Sequence, residues 1–392
     1  MKQPHLIYTT LAGFSLIGIG LCLCRFAYTP LIPSMIDADW VTRSEAGFLG
    51  GFNFLGYLLG CLAALFFVQK IGIKLLLRVS LVLAVCGLAM CSWDLGFAWL
   101  ACGRLVTGFA GASLVIQSPS LILQHVPDDW KKVVSGVMFS GAGATIVFVC
   151  LMLPMFLNSS VSDGWLFETG LTFLAALIAW PIIATAKSAQ EADTSSMPPL
   201  NRKATRGLVL LGAAYFLAAI SVTPHTLFLT DYLHERFTAS PALSSRLFSL
   251  LGVGFLLGAF CSGILAKWLG TPLTLIGNYL LGAVAVLTVL LTSSITVITV
   301  SAFLIGFFLL CNVPLTSIYT EEISGPIRHS RAWGAITMCF ALGAAVGSYG
   351  MSALLSLGAT YYQLFLIAQV TAVMSFGISV LLFFIHPVDK KC

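Results

Sequence analysis

Three side chains that can carry a positive charge stand inside stretches of this chain that are otherwise apolar: Arg25, Arg104 and His225. A guanidinium presents a fork of donors suited to anions, and an imidazole can exchange protons near neutral pH. Within a bilayer an arginine at helix centre costs about 2.5 to 3.5 kcal/mol on insertion scales, so two of them call for a use. Snorkelling to headgroups is the plain alternative for both, and for His225, which follows Pro224, it is a bond to a carbonyl freed by the proline. Asp231, two turns outward, is a candidate proton partner for His225, or else a solvated helix end. Tyr28, Thr29, Asn312 and Thr316, with Asn53, offer neutral hydrogen-bonding groups for a ligand; helix-to-helix bonds would use the same atoms.

The acids read differently. Asp37, Asp39, Glu45, Asp94, Asp163, Glu168, Asp231 and Glu235 fall toward one side of the membrane, and Asp128, Asp129, Glu191, Asp193, Glu321, Glu322 and Asp389 toward the other. None is expected at mid-membrane, so the fixed intramembrane charge is expected to be cationic, a site for an anionic or electron-rich solute. Glu321, Glu322, Arg328 and Arg331 crowd one loop and could latch it against Lys70, Lys74 or Arg78, although such surface charges are commonly just solvated.

These residues need a scaffold, and composition names it. The 392-residue chain is 58% hydrophobic and only 9% charged, with mean hydropathy +0.98, whereas soluble domains carry about a quarter charged residues. A water-soluble globule and a disordered chain are both excluded. The net charge of +5 forms no continuous patch for a nucleic acid. Most of the eleven cysteines lie in apolar stretches without a CxxC and read as packing residues; Cys91 and Cys102 flank one loop and could pair. No metal ligand set, Walker lysine or HExxH occurs, and Gly111-Ala-Ser113 reads as helix packing, so no enzyme and no cofactor is expected. Lys2 with the run Leu11 to Leu23 mimics a signal peptide, but no small-x-small site follows, and the segment reads as a retained helix.

Apolar runs at 6–32, 47–68, 79–93, 105–124, 133–162, 169–186, 207–230 and 247–266 give eight crossings. Trp268 to Thr320 contains no charge over 53 residues, about 80 Å of helix, and must fold back, at Thr292-Ser293-Ser294. Ala332 to Val388 likewise splits near Gly358 to Thr360. Twelve spans result. With the N-terminus in the cytoplasm, fifteen Lys and Arg fall inside, three outside and two within the membrane, the bias expected of a correctly counted inner-membrane protein.

The polar segment 187–206 reads as a cytoplasmic linker between six-helix bundles at 1–186 and 207–392. A tandem repeat supports the division: GYLLGCLAALFFVQKIG from Gly56 aligns without gaps to GFLLGAFCSGILAKWLG from Gly254, and the same offset of 198 takes Gly108-Phe109 to Gly306-Phe307 and Gly136 to Gly334. An offset of 194 matches Thr29-Pro30 to Thr223-Pro224. Parallel repeats of this kind suit two halves that rock about a central site.

With these motifs the sequence resembles the major facilitator superfamily, and within it the bacterial YbfB/YjiJ-type branch, most closely at Arg25-Phe26-Ala27-Tyr28-Thr29-Pro30-Leu31-Ile32-Pro33. Gly60 to Lys74 resembles the loop motif between helices two and three, with Gln69 where the family has an acid, and Arg104-Leu-Val-Thr-Gly108 resembles the RxxxG motif of helix four. The fifth helix matches the antiporter motif only in part. The resemblance implies an all-α fold of twelve helices in two bundles, a cavity lined by helices one, four and seven, and a monomeric secondary transporter that moves a small organic solute by alternating access. Protons are the first choice of coupling ion. A proton-coupled exporter of amphipathic compounds is the alternative.

Overall fold

The computed structural model describes residues 3–66, 68–157, 159–185, 200–325 and 327–385. The chain from 187 to 199, most of the expected linker, lies outside these residues, as do Lys2, Lys187, Glu191, Asp193, Asp389, Lys390 and Lys391. Among the described residues, twelve helices are long and apolar enough to cross a membrane: α1 Leu6–Leu23, α2 Arg43–Ala64, α3 Ile73–Met90, α4 Phe97–Leu123, α5 Asp129–Leu157, α6 Val161–Ala184, α7 Arg202–Phe237, α8 Pro241–Leu269, α9 Thr271–Leu291, α10 Ile295–Ser324, α11 Arg331–Ser356 and α12 Tyr361–Ile385. No strand occurs among the described residues. An even number of crossings puts both described ends on one face, called here the near face.

Both expected fold-backs occur, at Ser294 before α10 and at Gly358 before α12. The helices run past the apolar stretches because their polar starts are caps. Ser160 accepts from the Asp163 amide, Asn201 from Ala204 and Ser240 from Leu243, and such bonds satisfy the orphan amides of a first turn. So α6 begins at Val161 rather than at 169, and α7 at Arg202, inside the segment read as linker.

Helices α1–α6 pack on one another, and α7–α12 on one another, with α5 against α8 and α2 against α11 joining the bundles. Within each bundle one crossing carries the repeat. A Cβ on Gly56 would lie 2.0 Å from the Leu105 carbonyl oxygen, and one on Gly108 1.9 Å from that of Asn53; the partners 198 residues on behave alike, with Gly254 at 2.1 Å from Phe303 O and Gly306 at 2.1 Å from Leu251 O. Leu105 and Phe303, and Asn53 and Leu251, are themselves 198 apart. Glycine permits backbone contact between α2 and α4, and between α8 and α10, as small residues do in membranes, where packing replaces the hydrophobic drive.

Helices α1 and α7 are irregular at corresponding depths. After Ile17, α1 passes through a π-helical turn, Gly18–Leu23, then Cys24 and Arg25, a 3-10 turn Phe26–Leu31 containing Pro30, and a short helix Ile32–Asp37. Helix α7 is interrupted by a π-helical turn at Pro224–Phe228. Proline lacks an amide donor and π turns add a residue, so carbonyls are freed at both breaks. The breaks are stitched together: Thr29 Oγ1 donates to Thr226 O, and Thr230 Oγ1 donates to Thr29 O at 2.7 Å.

Further contacts close the far face. Arg43 of α2 meets Asp231 of α7 at 3.1 Å and Glu235 at 3.7 Å, while the Tyr361 hydroxyl at the start of α12 also donates to Asp231. His234 lies 3.2 Å from Asp37, and Ser44 Oγ donates to Ser352 O at 2.9 Å. Asp231 is therefore fully buried; the reading of it as a solvated helix end is corrected.

Candidate functional site

The break in α1 sets Arg25 between the bundles. Its backbone, at φ −136° and ψ −66°, leaves the helix, and the chain continues through Leu31 to Asp37, so the guanidinium lies roughly 20 Å of chain rise from that end. It is deeper than a helix ending at residue 32 would place it. The group sits over four rings, with its central carbon 4.7 Å from the centroid of Phe26, 4.2 Å from Phe54, 5.6 Å from Tyr57 and 5.6 Å from Phe340 of α11. Ring faces attract the cation but leave its N–H donors free, and Nε is buried without a partner.

Arg104 of α4 is 1% exposed. Its guanidinium lies 4.3 Å over Tyr28, whose ring also stacks on Trp165 of α6 and whose hydroxyl donates to Ala46 O at 2.9 Å. One nitrogen donates to the freed Arg25 carbonyl at 3.4 Å, while Nε and Nη1 have no partner. Both arginines thus face protein, not lipid.

Asn53 of α2 connects them. Its Nδ2 donates to Cys24 O at 2.8 Å and Arg104 O at 3.0 Å, and also approaches Thr107 Oγ1 at 3.1 Å; its Oδ1 is buried and unpartnered. With Phe26, Thr29, Gly50, Phe54, Thr226 and Leu227, these three residues enclose a cavity of about 10 Å³, room for about one water. The sequence reading left Asn53 undecided; it belongs to no motif and gave no signal beyond a polar residue in an apolar run.

Other expected residues go elsewhere. His225 is turned into α7–α12: its Nε2 lies 2.6 Å from Ser301 Oγ, and its ring packs edge-on against Phe365. Ser301 Oγ itself donates to Ala285 O at 2.7 Å, which leaves His225 Nε2 as the donor. The expected grouping of His225 with the two arginines does not form. Thr29 lines the cavity, and the Tyr28 ring carries the Arg104 guanidinium. Asn312 and Thr316 are buried and bond to each other, 3.2 Å apart. Of the expected latch, Glu322 accepts from Thr271 at 2.7 Å and Arg78 lies 5.3 Å over Trp180, each within its own bundle. Lys70, Lys74 and Glu321 are exposed, and Arg328 and Arg331 flank and open the step into α11. Cys91 and Cys102 are both free, and Ser113 Oγ donates to Phe109 O at 3.1 Å.

One expectation fails with consequences. Glu168, placed outside by the sequence reading, is fully buried in α6, seven residues from its start. Neither carboxyl oxygen has a hydrogen-bond partner. The reason is the capped start at Ser160, which carries residue 168 two turns into α6, as many residues from its start as Arg104 is from the start of α4. The membrane's fixed charges therefore include an acid.

Twelve crossing helices in two glycine-packed bundles, with paired breaks in α1 and α7 around a buried polar site, define a polytopic all-helical membrane protein of the major facilitator type. The chain belongs to the major facilitator family described as uncharacterised MFS-type transporter YbfB, which it matches over residues 16–380. It is thus a multi-pass secondary transporter of a family that is generally not enzymatic. No curated protein matches the chain.

Proposed function

We propose that the protein carries a small organic anion across a bacterial inner membrane, with both termini cytoplasmic and the far face periplasmic, by rocking two halves, 1–186 and 207–392, about Arg25, Arg104 and Asn53. It acts as a monomer in the bilayer, with no cofactor. The observation that supports this reading is a pair of buried guanidinium groups with unpartnered donors and no acid in contact. Such donors demand an acceptor, and a carboxylate takes two of them at once. The small cavity and the closed far face correspond to a cycle state in which the site is shut from the periplasm. Opening parts the Arg43–Asp231–Tyr361 cluster and the stitched breaks of α1 and α7, admits the anion, and lets it displace rings from Arg25.

Counterflow in proteoliposomes across a panel of monocarboxylates, dicarboxylates and lipophilic cations tests the proposal. Exchange of at least one carboxylate, lost in Arg25→Ala and in Arg104→Ala, is expected. Preference for lipophilic cations, unaffected by both substitutions, would overturn it in favour of an exporter of amphipathic compounds.

A further inference from the structure

Glu168 does not line the anion cavity, yet it is buried in a way that asks for a role. Its two oxygens receive no donor, and only its backbone carbonyl is used, by Thr172 Oγ1 at 2.8 Å. The titratable groups near enough to interact electrostatically with it are Cys22 and Cys24 from the α1 break, Cys91 at the end of α3, Cys150 from α5 and Arg104 from α4. Arg104 is the one charged neighbour among them, and it is occupied elsewhere, over Tyr28 and at Arg25 O. An ionised carboxylate without donors or a contacting cation is costly inside protein and neutralises by taking a proton. The geometry also ties the two groups mechanically. Trp165, one turn before Glu168, stacks on the ring that holds Arg104.

We propose that Glu168 is the proton-binding group of the transport cycle, and that its carboxylate and the transported anion compete for Arg104. When a proton from water adds to a Glu168 oxygen, the neutral acid releases Arg104 to the Tyr28 ring and the anion site. When the proton leaves to water, the carboxylate draws the guanidinium across and the anion loses a partner. Anion and proton then favour each other's binding, as reciprocal linkage requires, and they cross together. The competition rests on the proposed anion site; the proton-binding step rests on Glu168 alone.

The first test needs no substrate. Infrared difference spectra of the full-length protein in liposomes, recorded while the buffer is cycled between acid and alkaline pH, are expected to show a carboxylic C=O band that is absent from Glu168→Gln and present in Asp231→Asn. A band unchanged in Glu168→Gln overturns the assignment. If the Gln variant does not fold, Glu168→Asp retains a carboxyl, and displacement of the band there gives the same answer. In proteoliposomes, an acid-outside gradient is expected to stimulate uptake of a carboxylate that exchanges by counterflow, with the stimulation ratio falling to one in Glu168→Gln; persistent stimulation overturns the coupling. If no carboxylate exchanges at all, the anion reading falls while the infrared band still decides the proton site.

Discussion

Replacing Asp231 with Asn should loosen the far face without emptying the core. Asp231 Oδ2 receives Arg43 Nε at 3.1 Å and the Tyr361 hydroxyl, while Oδ1 is buried without a partner. The Asn amide removes the charge and, in one orientation, sets a donor against the guanidinium. Truncating one partner of a buried, hydrogen-bonded charge pair costs 2–5 kcal/mol, and the lower end, about 2 kcal/mol, applies because the Arg43 side chain is 43% exposed. That is about a 30-fold shift toward the opened far face. Hydrogen exchange of the full-length protein reads it directly: amides in Phe26–Leu31 and Leu229–Phe237 should exchange about 30-fold faster, while those of α9 keep their rates. Arg43→Gln should act in the same direction, and the double variant should show less than the sum. Unchanged exchange in both segments would refute the closure argument, because it would mean the pair decorates a face held shut by packing alone.

The glycine crossings give a matched set. Gly56→Ala and Gly254→Ala each press a Cβ onto a backbone oxygen and should lower stability in detergent by about 3 kcal/mol each, whereas Gly277→Ala, with nothing within 4 Å, should raise it by about 0.5–1 kcal/mol; thermal unfolding checks all three. Asn53→Asp would put a carboxylate beside Arg25 and Arg104. It should raise the half-saturating carboxylate concentration in counterflow at least about tenfold, since the new charge competes with the substrate.

Much of this architecture was legible because membrane crossing imposes a length on each apolar run, and a run too long for one crossing must turn at its polar residues. The repeat offset of 198 was visible in glycines, and the structure gives it a cause: both copies press the same crossing onto equivalent carbonyls. The break in α7 was signalled by Pro224, but Thr29-Pro30 was read as part of one continuous helix, and the break in α1 was missed. What escaped was azimuth and phase. Depth along α7 could be counted to His225, but the π turn at Pro224–Phe228 shifts the helix face, so sequence spacing could not say that the ring points to Ser301. Glu168 was misplaced for a different reason. The helix was begun where charge ended, although Ser160 and Asp163 three residues on form a capping pattern that starts it two turns earlier. Asp231 looked like a solvated end because its partners, Arg43 and Tyr361, come from distant parts of the chain.

The central claim is that the buried arginines hold the transported anion. It is tested most directly by binding of a carboxylate that exchanges in counterflow, measured calorimetrically on purified wild-type protein, Arg25→Ala and Arg104→Ala. Loss of a charge-assisted hydrogen bond costs about 1.5–3 kcal/mol, so each variant should bind about 10- to 150-fold more weakly. Equal affinity in all three proteins would contradict the account.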